Sequence, residues 1–361
     1  MRKLGISIYP QYGTMTEQID YMERASLSGF SRMFTCLLSA TEETEINNLR
    51  ILIKKANSLG FEVIADVSPS VFTDLKLSYE DLGFFHALGL SGLRLDLGFS
   101  GLEESIMSFN EYGLKIELNM SQGTKYLEQI LSYAPNKAAI IGCHNFYPRR
   151  YTGLARDHFL TCSQQYKQHG IRTAAMISSS QAAYGPWPVQ EGLMTLEEHR
   201  DLPIEVQAKD LFQTELIDDV IIGNAFASEE ELKKLSTLNR FLLELEVEFK
   251  EAATITEREI VLKEKHLNRG DISPYVIRST QSRVTYGKEN IEAHDTKSIK
   301  RGDITIDNNG YERYKGELHI ALQNMENSGN TNIVAAVAEE EHFLLNQIKP
   351  WQKFSFIEKK D

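Results

Sequence analysis

The chain has 361 residues, 42% hydrophobic and 25% charged, the balance of a globular protein too long for one small core and suited to a large domain with a smaller one. A net charge of -12 argues against a general nucleic-acid binder, which needs a basic footprint, yet a few local Arg residues can still hold a small anionic ligand. Cys36, Cys143 and Cys162 are odd in number and widely spaced, which speaks against a disulfide framework or a CxxC metal knuckle and for the reducing cytoplasm.

The N-terminal MRKLGISIYP has neither a long apolar run nor a small-residue cleavage site, so no signal peptide is expected, and no segment reaches membrane-span length. Through residue 238 the chain repeats one rhythm of short apolar strand, polar turn and helical stretch. Strands are predicted at LGISI (4–8), SRMFTC (31–36), FEVIAD (61–66), GLRLD (92–96), LKIEL (114–118), AAIIG (138–142), IRTAAM (171–176) and DDVII (218–222). Helices follow at TEQIDYMERASLSG and ETEINNLRILIKKANSLG, each closed by the Gly that a helix C-terminus prefers. Eight such units predict a (β/α)8 TIM barrel over 1–238. An open doubly wound sheet is the runner-up, but no GxGxxG follows the first strand and no Walker-type GKS or GKT occurs.

From about residue 240 the texture turns β-rich, with FLLELEVEF, YVIRST, DITID, GELHIAL and TNIVAAVA separated by turn formers such as DNNG (307–310). A second, mainly β domain is expected over 239–361.

Barrel chemistry lies at the C-terminal strand ends. Those ends carry Tyr9, Asp66, Asp96, Asn119, His144 and Asn145, Ser178 to Ser180, and Asn224. Strand alternation turns Leu93, Leu95 and Leu97 toward the helices and Arg94 and Asp96 inward; Ile116, Leu118 and Met120 likewise face out, Glu117 and Asn119 in. With strands about 4.8 Å apart, Arg94 and Glu117 are placed to pair low in the barrel, as a core ion pair or as part of a site. Asp66 and Asp96 then either cap the following helices or converge at the mouth. Converging carboxylates split their pKa values and supply an acid and a base, as in glycosidases, whose separations run from about 5 to 9.5 Å.

After strand six comes CHNFYPRRYTG, 143–153, a sudden concentration of hydrogen-bonding groups including Tyr147 and Arg149; it is either a ligand-holding loop or a surface loop with an Arg pair. The seventh loop, 178–200, carries Trp187, which is either a sugar platform or a hydrophobic plug, then Glu191 and a helix start at TLEE. Glu197 and Glu198 read as solvated first-turn residues complementing the helix dipole. Cys143 beside His144 is no thiol–base pair, because strand neighbours point to opposite faces. The nine His residues show no HxxxH, HExxH or HxH spacing, so neither a metal nor another cofactor is expected.

The segments GISIYP, DVSP, LRLDLGF, ELNMS, CHNFYPRRYTGL and EGLMTLEEHR, with the later RGDISPYVIRST and RGDITIDNNGYERYKGEL, resemble in order the bacterial 6-phospho-N-acetylmuramidases, proteins formerly of unknown function and sometimes labelled outer surface proteins. The resemblance implies a TIM barrel followed by a smaller cyclophilin-like β-barrel domain. It implies exo-hydrolysis of the bond between N-acetylmuramic acid 6-phosphate (MurNAc 6-phosphate) and N-acetylglucosamine (GlcNAc) in an imported cell-wall disaccharide. The acidic, signal-less composition agrees with a cytoplasmic role rather than the outer-surface label. Arg150 departs from the family, where proline is expected, and so has no assigned role.

The leading reading is therefore a phosphosugar glycosidase whose expected partner is a phosphorylated amino-sugar disaccharide, with no nucleic acid, no membrane and an oligomeric state left open. Asp66, Asp96 and Glu191 are the candidate catalytic carboxylates, the acid and the base or nucleophile among them left open. Tyr9, Arg94, Asn119, His144, Asn145, Tyr147, Arg149 and Asn224 form the expected substrate-binding shell. In YVIRSTQSR, alternation sets Ile277 and Ser279 against Val276, Arg278 and Thr280, and Arg278, with Arg283 after a turn-like QS, is either an anion clamp on the substrate or a solvated edge-strand charge. The competing reading is a non-catalytic phosphosugar-binding or sensor protein. A barrel aldolase or isomerase would want a Lys at a strand end, and none ends a strand here.

Overall fold

Eight parallel strands close into a barrel in chain order: β1 (Lys3–Ile8), β2 (Arg32–Cys36), β3 (Glu62–Val67), β4 (Gly92–Leu95), β5 (Lys115–Asn119), β6 (Ile140–Cys143), β7 (Arg172–Ile177) and β8 (Asp219–Ile222). The computed structural model describes residues 2–37, 43–186, 188 and 191–359; Trp187 lies outside them. Every apolar run predicted as a barrel strand is one, and helices fill the intervals as the period-3.6 stretches require. The first helix, Met15–Leu27, starts where Thr14 and Glu17 cap each other: Thr14 Oγ1 accepts from Glu17 N at 3.2 Å and Glu17 Oε2 from Thr14 N at 2.7 Å. No helix among the described residues is long and apolar enough to cross a membrane.

Alternation places the side chains as their polarity demands. Leu93, Leu95, Ile116 and Leu118 are fully buried in the layer between sheet and helices. Leu97 is a correction: β4 ends at Leu95, the alternation ends with it, and Leu97 is 61% exposed.

Low in the lumen lies a charged layer. Arg32, 1% exposed, pairs across the barrel with Glu117 of β5 and, at 2.6 Å, with Asp219 of β8. Arg172 of β7 adds contacts to Asp219 at 2.5 Å and Glu62 at 2.9 Å. The expected Arg94–Glu117 pair is present at the edge of ion-pair distance: the two stand in register on adjacent strands with Arg94 Nε 4.0 Å from Glu117 Oε1, while Arg32 makes the closer contact to Glu117 and Arg94 the closer one to Asp66.

The chain divides into two compact units, Met1–Thr237 and Leu238–Asp361. The second is a nearly closed, barrel-like sheet of β9 (Leu243–Phe249), β10 (His266–Leu267), β11 (Val276–Ser279), β12 (Asp303–Asp307), β13 (Leu318–Ala321), β14 (Thr331–Val337) and β15 (Lys353–Glu358), in the order β10-β15-β9-β14-β12-β13-β11. Its two edge strands approach each other, His266 Nδ1 lying 2.9 Å from Ser279 Oγ. β10 and β15 escape sequence reading: one is two residues long, and the other, KFSFIE, lies at the C-terminal end with no turn former after it. The segment holding Arg283 is a short helix, Ser282–Tyr286, rather than a turn.

Candidate active site

At the mouth of the barrel Asp66 on β3 stands in register with Arg94 on β4. Arg94 Nη1 donates to Asp66 Oδ1 at 2.9 Å and to Asp96 Oδ1 at 3.3 Å, while Nη2 donates to Asn145 Oδ1. Neither aspartate caps a helix; Ser68 precedes the helix Pro69–Asp74 and Gly101 the helix Leu102–Met107. Burial pushes the Asp66 carboxyl up, Arg94 opposes this, and the neighbouring Asp96 adds to it, leaving Asp66 at about 6. Asp96, with its side chain 37% exposed, faces solvent. One buried carboxyl titrating near 6 beside one solvent-facing carboxyl is an arrangement able to give and take protons.

Asn119 on β5 fixes Asp96 further, donating through Nδ2 to Asp96 Oδ1 at 3.3 Å. Ser121 supports the next shell: its Oγ accepts from Asn145 N at 2.8 Å and lies 3.1 Å from His144 Nδ1. His144 is corrected from ligand to support. It is fully buried, Nε2 is spent on Ser163 at 2.9 Å, and burial lowers it to about 3, so it is neutral and reaches no substrate. Tyr9 is likewise corrected: it is buried in an apolar cluster with Phe34, Cys143 and Met176, and its hydroxyl donates to Gly223 O at 2.5 Å. Tyr147 does approach the group, its phenol raised by burial and in contact with Ser121.

The sixth and seventh loops are laced together. Tyr147 N donates to Met194 O at 3.1 Å, Leu154 N to Thr195 O at 2.9 Å, and Thr195 Oγ1 to Asn145 O at 2.9 Å. Glu197, expected to be solvated, instead accepts from Tyr151 N and Gly153 N, both at 2.7 Å, and from Arg200; the Arg200 bonds above all, with these amides, hold its carboxyl at about 2. Gly153 permits this, since a Cβ there would sit 2.7 Å from Glu197 N. Arg200 also donates to the carbonyls of Tyr147 and Arg149 at 3.2 Å and of Glu191 at 2.6 Å. Sequence reasoning missed this hub. The i,i+3 spacing of Glu197 and Arg200 permits a pair, but nothing local shows that such a pair grips another loop's backbone.

Glu191 is exposed and accepts from Arg150 N at 2.8 Å; no hydrogen bond or ion pair among the described residues joins it to Asp66 or Asp96. It lines a cavity of about 530 Å³ together with Ser178, Arg200 and Asn224. Asn224 spends its amide on the seventh loop, accepting from Ser179 N at 2.8 Å and donating to Ser179 O at 2.8 Å. Arg150 is clamped by Asp201 at 2.8 and 3.0 Å. Arg149 is exposed and makes no ion pair among the described residues. Asp96 and Asn119 line a second cavity of about 370 Å³, walled by Phe99 and Tyr126, with the exposed Lys125 on its rim.

Arg278 belongs to the second unit, where it pairs with Glu317 at 2.9 Å. Among the described residues no group of three His, Cys, Asp or Glu side chains is placed to hold a metal ion.

Comparison with known proteins gives concordant results over both units. Residues 4–237 match the family described as 6-phospho-N-acetylmuramidase, N-terminal, and residues 243–357 match 6-phospho-N-acetylmuramidase, C-terminal. The crystal structure of an uncharacterized B. cereus protein is 50% identical, with 99% of each chain covered and a TM-score of 0.91. A conserved protein of unknown function from a locus in Enterococcus faecalis shares the fold at 24% identity, with 99% of this chain and 96% of that one covered and a TM-score of 0.71. No curated protein matches the chain.

Proposed function

The chain belongs to the 6-phospho-N-acetylmuramidase family, and we propose that it carries out the reaction this name denotes, hydrolysing the bond between MurNAc 6-phosphate and GlcNAc in the cytoplasm during peptidoglycan recycling. The observation that carries the reading is the pair of carboxyls on one guanidinium nitrogen, Asp66 buried and raised to about 6, Asp96 open to solvent.

In this reading Asp66 donates its proton to the glycosidic oxygen, and the bond from that oxygen to the anomeric carbon of MurNAc 6-phosphate breaks, releasing GlcNAc. Asp96, held by Arg94 and Asn119, either takes a proton from the water that attacks the anomeric carbon or attacks it itself to form a glycosyl ester that water then hydrolyses. Arg149 and Lys125, cations without a carboxylate partner among the described residues, attract the phosphate and lactyl carboxylate to an otherwise acidic protein. Tyr147 and Asn145 complete the binding shell.

The test is incubation with the phosphorylated disaccharide and its unphosphorylated counterpart, following release of GlcNAc. Turnover of the phosphorylated compound, lost in Asp66→Asn, is expected. Saturable binding of that disaccharide without any release of GlcNAc would instead establish a phosphosugar-binding or sensor protein.

A further inference from the structure

The C-terminal unit holds a polar cavity of its own. Strand register lines up Arg278 on β11, His319 on β13 and Thr305 on β12 as direct neighbours on one face, with Asp307 and Thr331 paired one step further along β12 and β14. On the opposite face Ile277, Ile304, Ile306 and Ile320 pack the core. A polar sheet face of this kind would ordinarily meet water. Here it floors a cavity of about 440 Å³ walled by Tyr311 and Tyr314.

The charges are built rather than scattered. Glu317 is 1% exposed and gathers two guanidiniums and an imidazole: Arg278 Nη2 at 2.9 Å, Arg283 Nη1 at 2.7 Å and His319 Nε2 at 3.2 Å. Burial pushes the Glu317 carboxyl up, but His319 and Arg278 outweigh it and hold it at about 2. One buried carboxylate thus fixes two guanidiniums and an imidazole, so that at Glu317 itself the guanidiniums outnumber the carboxylate, while Asp307 and Glu326 also line the cavity. Arg278 commits Nε and Nη2 to Glu317, while Nη1 has no hydrogen-bond partner among the described residues. Arg283 rides over the Tyr314 ring, 5.5 Å from its centroid, stiffening that wall. Asp307 is buried and receives one hydrogen bond, from Thr331 Oγ1 at 2.8 Å, leaving its other oxygen without a partner among the described residues.

We propose that this cavity binds a pyranose bearing one anionic group, phosphate or carboxylate. The anion meets Arg278 Nη1 beside His319, because a guanidinium already held by a carboxylate is preorganised for a second anion. The ring lies against Tyr311 or Tyr314, whose flat faces remain partly exposed. Asp307 accepts from a ring hydroxyl. Identifying the natural ligand with the phosphosugars of the proposed reaction rests on that functional reading; the site itself rests on the C-terminal unit alone.

The experiment uses the full chain labelled with 3-fluorotyrosine, the ¹⁹F resonances of Tyr311 and Tyr314 being assigned by Tyr→Phe replacement. The probes are GlcNAc 6-phosphate, GlcNAc and inorganic phosphate. GlcNAc 6-phosphate should shift both resonances saturably, and Arg278→Ala should weaken its binding by roughly tenfold or more, the contribution of a charge-assisted hydrogen bond. Arg278→Lys, which keeps the charge but loses the planar fork, should also weaken binding. Tyr311→Ala, read at Tyr314, leaves the ion-pair cluster intact and carries the test if the Arg278 variants do not fold. No shift, a shift unaffected by these substitutions, or inorganic phosphate binding as tightly as the sugar phosphate overturns the proposal. Disaccharide hydrolysis measured alongside separates the two readings: hydrolysis without tyrosine shifts removes only this site, and shifts without hydrolysis remove only the proposed reaction.

Discussion

Arg94 and Asp66 face each other on adjacent strands of the barrel, Nη1 to Oδ1 at 2.9 Å, and the same nitrogen reaches Asp96 above. A single buried cation therefore holds two carboxyls in two different environments. That difference in environment, rather than the number of acidic residues, separates an acid from a base.

Asp66→Asn and Asp96→Asn should each lower kcat by about 10²–10⁴-fold, the usual contribution of general acid or base catalysis, with KM little changed. Glu191→Gln should act differently. Its carboxylate holds the Arg150 amide, so the expected effect is on KM through the sixth loop. Steady-state kinetics on the phosphorylated disaccharide decide this, and full turnover in both aspartate variants would remove the assignment.

Activity should fall as pH rises. Asp66 works in its protonated form, so kcat/KM should decline as pH passes through about 6. Stability shares the sign. The folded-state value lies above the unfolded value of about 3.9, so the native state binds more protons in between, and the contribution present below about 3.9 is lost as pH rises toward 6. Denaturant titrations of the protein and of Asp66→Asn, compared at several pH values, should show the wild type losing stability relative to the variant across this window. A constant difference would contradict the placement of the proton.

Gly153→Ala should destabilise the loop junction, because its Cβ would come within 2.7 Å of Glu197 N. Backbone must move to admit it, at a cost of about 1–3 kcal/mol for overpacking a filled site. Glu197→Gln weakens the same grip from the other side, and both variants should raise KM through the displaced sixth loop. Thermal denaturation and kinetics together test this; a Gly153→Ala protein with unchanged Tm and KM would show that the loops are not held at this point.

Arg32→Met should be severely destabilising. It leaves Glu117 and Asp219 buried without this cation, and breaking a buried ion pair from one side typically costs about 3–5 kcal/mol. Equilibrium unfolding in urea measures the loss. A variant as stable as the parent would mean that Arg172 alone suffices to neutralise the layer.

The barrel is legible in the sequence, because short apolar runs separated by helix-period stretches have few other ways to bury both faces of a parallel sheet. So is the inward direction of Arg94, Glu117 and Asn119, since period-two alternation is a local property of the backbone. Asp66 and Asp96 were legible as candidates on the same ground. Their shared contact with Arg94 was not, because alternation assigns a face and leaves the rotamer open.

Which polar groups meet depends on how the chain closes. Arg32, Glu117 and Asp219 lie on β2, β5 and β8, strands that are not neighbours, and they meet only because the sheet closes around a lumen narrow enough for side chains to span. Glu197 grips Tyr151 and Gly153 only because the ends of β6 and β7 bring two loops side by side. His144 and Tyr9 show the same reason from the opposite side. Both stand at strand ends and read as ligands, but in the closed barrel their polar atoms are spent on Ser121, Ser163 and Gly223. A polar side chain declares in sequence that it needs a partner. Whether that partner is a substrate or the protein itself depends on what chain closure has already placed within hydrogen-bonding reach.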